Sequence, residues 1–152
     1  MNLKGCYSHK SDNWSTPNDI YNHFINELGC KDPCPLYSKE DNLNNIYKED
    51  LFINPPYSEI DKWIDFIFKH YLNYIFLLIP ARTDTKYFHK LINETNRTIE
   101  LYFIKGRLKF GNSKLSAPFP SVLIKIYPLR KYLNKQLTSY FIERERVIQI
   151  GK

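Results

Sequence analysis

The chain has 152 residues, 43% hydrophobic and 25% charged, which allows one globular domain with a sizeable core and excludes a disordered polar chain. Its net charge of +6 is uneven: residues 105–152 hold 11 Lys/Arg and two Asp/Glu, while residues 1–104 hold 11 and 14. A basic last third points to a polyanion-binding surface or, equally, to a solvated basic face.

Residues 1–13 read as a polar arm. "STPNDIYNHFINELG" reads as a helix, with Thr16 as cap, Pro17 at the first helical position, Ile20, Phe24, Ile25 and Leu28 at helical spacing, and Gly29 as its end. A polar, proline-interrupted stretch follows. "LFIN" reads as a short buried strand, and Glu59 to about Tyr71 as a helix with Ile60, Trp63, Ile64, Ile67 and Tyr71 on one side. "NYIFLLIP" is a continuous apolar strand of the kind covered on both faces. "TDTKYFHKLINETN" predicts a helix capped by Thr83 or Asp84. "IELYFI" and "SVLIKIY" are two more strands, separated by the basic loop "KGRLKFGNSKLSAPFP". The tail "LRKYLNKQLTSYFIERERVIQI" reads as a helix with a frayed or strand-like end, a basic extension over residues 128–152.

No apolar run reaches the length of a membrane span, and "MNLKGCYSHK" has no apolar signal core, so a cytoplasmic protein is expected, with no membrane partner. Cys6, His9, Cys30 and Cys34 have the form Cys-x2-His plus Cys-x3-Cys, a loose zinc spacing. The plainer reading, and the one adopted, is reduced thiols packed as small apolar groups, with no metal.

Strand, helix, strand, helix, strand is an α/β order, in which ligands bind at the carboxyl ends of the strands. Asn54-Pro55-Pro56-Tyr57 falls at such an end. The exocyclic amine of adenine is a poor nucleophile because its lone pair is delocalised into the ring. Acceptors for both of its N–H groups pull the nitrogen towards a tetrahedral, more nucleophilic state. The Asn54 side-chain oxygen and the Pro55 carbonyl supply two acceptors, the locked φ angles of Pro55 and Pro56 fix the carbonyl's direction, and Tyr57 offers a flat face for a base. The competing reading is a proline-rich turn with a packed Tyr57 and an Asn54 that caps the next helix.

The neighbours of this motif carry a resemblance. "WSTP", "DPCPL", "DNL", "NPPYSEIDKW", "LLIPARTDTKYFH" and "IKGRLKF…SAPFPS" follow one another in order between residues 14 and 127. Together they resemble the phage-type DNA N-6-adenine methyltransferase family. The resemblance implies one domain over residues 1–152 with a compact Rossmann-like methyltransferase fold: a mostly parallel sheet with one antiparallel strand, supplied by the "IELYFI"/"SVLIKIY" hairpin. Only 21 residues separate Asp32 from Asn54, so the sheet is shortened between its first and fourth strands. It implies S-adenosylmethionine as cofactor, held by Trp14, Thr16, Pro17, Asp32 and Pro33, with Glu40 or Asp41 as candidates for the ribose. It implies a flipped adenine of double-stranded DNA as substrate, with Asn54, Pro55, Pro56 and Tyr57 catalytic. Arg82, Lys105, Arg107, Lys109 and Phe110 are the nucleic-acid candidates, Phe110 as a second stacking face opposite Tyr57. The alternatives are a methyltransferase of RNA adenine or protein glutamine with the same clamp, and an inactive relative that binds nucleic acid.

Overall fold

Continuous apolar runs become strands and amphipathic runs become the helices between them. A computed structural model of the chain describes residues 14–36 and 42–152. Cys6, His9, Glu40 and Asp41 lie outside the described residues.

β1 (Leu51–Ile53), β2 (Ile75–Pro80), β3 (Ile99–Ile104), β4 (Ser121–Ile126) and β5 (Leu137–Ile142) form one mixed sheet in the order β1-β2-β4-β3-β5. β1 pairs with β2 in parallel, β3 pairs with β5 in parallel, and β4 lies antiparallel between β2 and β3. A parallel bridge from Lys31 to Leu51 extends the sheet past β1 by a single residue. Among the described residues between Lys31 and Leu51 the regular structure is a 3-10 turn, Asn42–Asn44.

α1 (Asn18–Tyr21) runs on as a π-helical segment, Asn22–Glu27, and Gly29 at φ +71° turns the chain out of it. Pro17 stands at the cap and not at the first helical position, and Thr16 makes no capping bond. α2 (Ile60–Lys69) is preceded by a 3-10 turn, Tyr57–Glu59, and ends before Tyr71, which is exposed and not on its apolar side. α3 (Lys86–Glu94) starts after Thr85, one residue beyond the nearer predicted cap.

The two faces of the sheet carry two cores. Ile75, Leu77 and Ile79 of β2 face Trp63, Ile64 and Ile67 of α2 and Phe88 and Leu91 of α3. Phe76 and Leu78 face the other way, onto Ile20 and Phe24 of the first helix, with Leu123 and Val147. All six residues of β2 are therefore buried, which is why its sequence shows no alternation. Each fully buried Leu, Ile or Phe contributes about 1.5–3 kcal/mol.

The tail departs from the sequence expectation. It is not a helix: "LTSYFI" forms β5 on the free edge of β3, and Arg144–Gln149 is a 3-10 segment. Thr, Tyr, Phe and Ile suit a pleated surface better than a helix, and the open edge of β3 supplies the ladder. The basic extension is packed on the rest of the domain. Val147 is fully buried in the second core, the His23 ring bonds through Nε2 to Ile150 O at 2.7 Å, and Lys152 pairs with Asp50 at 2.6 Å. Arg144 pairs with Asp19 at 2.7 Å and holds that carboxyl below its usual range.

This topology sorts the loops between two ends of the sheet. β1, β2, β3 and β5 all finish at one end, so Asn54, Arg82 and the 105–120 loop share it. The 127–136 connection, from the end of β4 to the start of β5, lies at the other.

Candidate active site

The chain leaves β1 through Asn54-Pro55-Pro56, and neither proline has an N–H to leave unpaired. Pro55 is buried and Pro56 half-buried. The Pro56 carbonyl accepts the Glu59 N–H at 2.9 Å, which starts the turn into α2. Strand alternation places Asn54 on the same face as Phe52, towards the first helix.

The Asn54 side chain does not cap that helix. Neither Tyr57–Glu59 nor α2 receives a side-chain cap bond. Its Nδ2 donates instead to the Trp14 carbonyl at 2.7 Å and to Thr16 Oγ1 at 2.9 Å. A carbonyl cannot donate, so the Trp14 bond fixes which end of the amide is nitrogen. Both amide protons are thereby used. Oδ1 is buried and has no hydrogen-bond partner. A buried acceptor left open costs about 1–3 kcal/mol unless a donor reaches it, and the carboxyl end of a strand is where a ligand can bring one.

Aromatic rings surround the amide. The Trp14 and Tyr57 rings are nearly parallel, 19° apart in plane with centroids 6.3 Å apart. Phe119 meets Tyr57 edge-on at 5.1 Å. Phe110 is buried and also edge-on to Tyr57, at 83° and 6.5 Å. The sequence makes Phe110 a candidate second stacking face opposite Tyr57; the ring most nearly parallel to Tyr57 is Trp14. Phe110 packs instead against the Trp14 edge, at 5.6 Å.

Asp32 follows the Lys31 bridge and so lies at a strand end beside β1. Its Oδ1 accepts the Cys34 N–H at 2.9 Å. Burial pushes the Asp32 carboxyl above its usual range, opposed by that hydrogen bond. Cys34 Sγ in turn reaches the Asn54 carbonyl at 3.5 Å, so the Asp32-Pro33-Cys34 turn touches the catalytic candidate directly. Burial raises the Cys34 thiol well above its usual value and pushes Cys30 up to about 11. Among the described residues no group of three metal-ligating side chains occurs.

Arg82, Arg107 and Lys109 are exposed at this end, whereas Lys105 is paired with Glu143 at 3.1 Å. Arg130, Lys131 and Lys135 belong to the opposite end, so the basic last third is not one surface. Lys125 is buried, its ammonium 4.5 Å from the Tyr127 ring centroid, and burial lowers its pKa. The structure thus brings Trp14, Thr16, Asp32 and Asn54–Tyr57 together, with the 105–120 loop against them. Pro17 and Pro33 are buried behind them. What sequence reasoning missed is that Trp14 and Thr16 hold the Asn54 amide. The one signal for it was that a polar Thr16 precedes a proline able to begin the helix without it.

No curated protein and no solved structure matches the chain. The family model described as DNA N-6-adenine-methyltransferase (Dam) matches residues 6–125, a span that holds Trp14, Thr16, Asp32, the Asn54–Tyr57 motif, Arg82 and the whole 105–120 loop. The chain belongs to that family of DNA adenine methyltransferases.

Proposed function

We propose that the protein transfers a methyl group from S-adenosylmethionine to the N6 amine of an adenine flipped out of double-stranded DNA, acting as one Rossmann-like domain. The observation that carries this reading is the open Asn54 Oδ1, buried and aimed by two hydrogen bonds on the other end of its amide. The sheet order supports the fold, since β4 is a lone antiparallel member inserted next to the last parallel strands.

S-adenosylmethionine, when bound, supplies an electrophilic methyl on a sulfonium. The chain's part is to make the amine nucleophilic. Asn54 Oδ1 accepts one amine N–H and the Pro55 carbonyl accepts the other. The lone pair is then drawn out of conjugation with the ring and would take the methyl from a bound S-adenosylmethionine, whose sulfur would leave as the neutral thioether. One amine proton is released after transfer, so a neutral amine needs no base beforehand. Tyr57 gives the base a stacking face, with Trp14 as the second wall. Asp32 fits a cationic cofactor: burial opposes its negative charge, and a positive ligand beside it relieves that penalty. Trp14, Thr16, Pro17, Asp32 and Pro33 line the cofactor side, with Asp41 as the ribose candidate.

Arg82, Arg107 and Lys109 contact phosphate, with Lys105 joining if its pair with Glu143 opens. Among the described residues no helix is long and apolar enough to cross a membrane. A DNA substrate suits a cytoplasmic enzyme, phage- or prophage-encoded.

The test supplies tritiated S-adenosylmethionine with plasmid DNA, RNA and a glutamine peptide in parallel. Label on DNA is expected. Label on RNA or peptide alone overturns the substrate, and absence of cofactor binding by calorimetry marks an inactive nucleic-acid binder.

A further inference from the structure

An asparagine amide that turns by 180° exchanges its acceptor for its donors, and an Asn54 turned that way offers N–H to an amine that needs an acceptor. What prevents the turn is the segment Trp14-Ser15-Thr16. Trp14 O and Thr16 Oγ1 both accept from Nδ2, at 2.7 and 2.9 Å. Pro17 occupies the cap of α1, which leaves the Thr16 hydroxyl out of helix capping.

That segment is in turn held by the basic loop. The Gly111 N–H donates to the Ser15 carbonyl at 2.8 Å, midway between the two residues that hold Asn54. Gly111 sits at φ +57°, and a Cβ there would lie 3.3 Å from the Ser15 Cβ. Only glycine permits so close an approach without strain. Phe110 and Phe119 of the same loop pack on the Trp14 ring, at 5.6 and 5.5 Å. Lys109, a phosphate candidate, is two residues from Gly111.

We propose that Thr16 and Gly111 are positioning residues: Thr16 locks the Asn54 amide with its oxygen as the unpaired end, and the loop of residues 105–120 sets that lock through Gly111 and Ser15. The proposal deepens the reading of Asn54 as the amine acceptor and rests on it. Thr16 and the Trp14 carbonyl act on the substrate only through Asn54, so their loss changes how well the bound amine is activated and not how tightly DNA is held.

The experiment compares Thr16→Val, Thr16→Ser and Gly111→Ala with wild type in steady-state methyl transfer to plasmid DNA. It also follows hydrogen exchange of the Asn54 side-chain amide by NMR on 15N-labelled protein, assigned by its loss in Asn54→Asp. Thr16→Val keeps the shape of threonine and removes the acceptor. It is expected to lower kcat about tenfold or more with KM for DNA within about twofold, while Thr16→Ser restores most of the rate. Gly111→Ala is expected to follow Thr16→Val in kcat. Amide exchange at Asn54 is expected to quicken in Thr16→Val and Gly111→Ala. Unchanged exchange in Thr16→Val overturns the lock whatever the rates, and so does a Thr16→Ser variant as slow as Thr16→Val. Unchanged exchange in Gly111→Ala overturns the link to the loop. If wild type labels no DNA while exchange responds as stated, the lock stands and the methylation reading falls.

Discussion

Asn54 shows how a residue is committed by what it already bonds. Its two amide protons are spent on Trp14 and Thr16, so the remaining oxygen can only accept. Asn54→Ala is expected to lower kcat by on the order of 100-fold or more, with cofactor affinity little changed, because an acceptor used in the transition state is lost while the packed surroundings stay. Single-turnover transfer and calorimetry read the two quantities; an active Asn54→Ala variant contradicts the clamp. Asp32 allows a prediction about pH. Its folded-state pKa is raised by burial, so the folded protein holds that proton more tightly than the unfolded chain. Its contribution to stability is then lost as pH rises from the unfolded to the folded pKa. Asp32→Asn removes the charge and keeps an acceptor for the Cys34 N–H. The variant is expected to melt at a higher temperature than wild type at pH 7 and at the same temperature once both forms of Asp32 are protonated, while binding S-adenosylmethionine more weakly. Thermal melts across pH, with calorimetry, check both halves.

At the scale of elements, periodicity is a reliable guide where a segment buries a defined face or both faces. α2 and α3 have their apolar residues at helical spacing, and β2 reads as doubly buried because it is. The tail misled for a physical reason. β5 has a neighbour on one side, and that neighbour, β3, is 38 residues earlier along the chain. Its residues are largely exposed on both faces, with Phe141 86% exposed, so no alternation marks it. The 3-10 segment after it was equally hard to read, since only Val147 and Ile150 turn inward. Removal of residues 143–152 uncovers the second core around Ile20 and Phe24 and is expected to cost about 3–5 kcal/mol, the burial of two aliphatic side chains plus lost neighbours. A urea titration measures it, and an unchanged midpoint means the tail does not close the core. The site was legible in a similar, partial way. The motif Asn54–Tyr57 and its strand-end position could be read directly, because both depend on local sequence. The partners of Asn54 could not, since Trp14 and Thr16 are about 40 residues away and threonine before proline reads as a helix cap.

Across the whole molecule, the sheet separates two basic regions that are continuous in sequence. Arg107 and Lys109 share an end with Asn54, and Arg130 and Lys131 do not. Replacement of Arg107 and Lys109 by alanine is expected to weaken DNA binding and to reduce the slope of log K against log salt by about 2, one unit for each lost phosphate contact. Replacement of Arg130 and Lys131 is expected to leave the slope nearly unchanged. Fluorescence anisotropy with a labelled duplex over a range of salt distinguishes the pairs, and equal losses from both contradict a single DNA-facing end. The proposed methylation of adenine in DNA runs through the Asn54 amide. The most direct measurement expresses wild type and Asn54→Ala in a host that lacks DNA methylation and maps N6-methyladenine in the recovered plasmid. N6-methyladenine is expected with the wild type and none above background with the variant; unmodified adenine in both, or equal modification in both, contradicts the proposal.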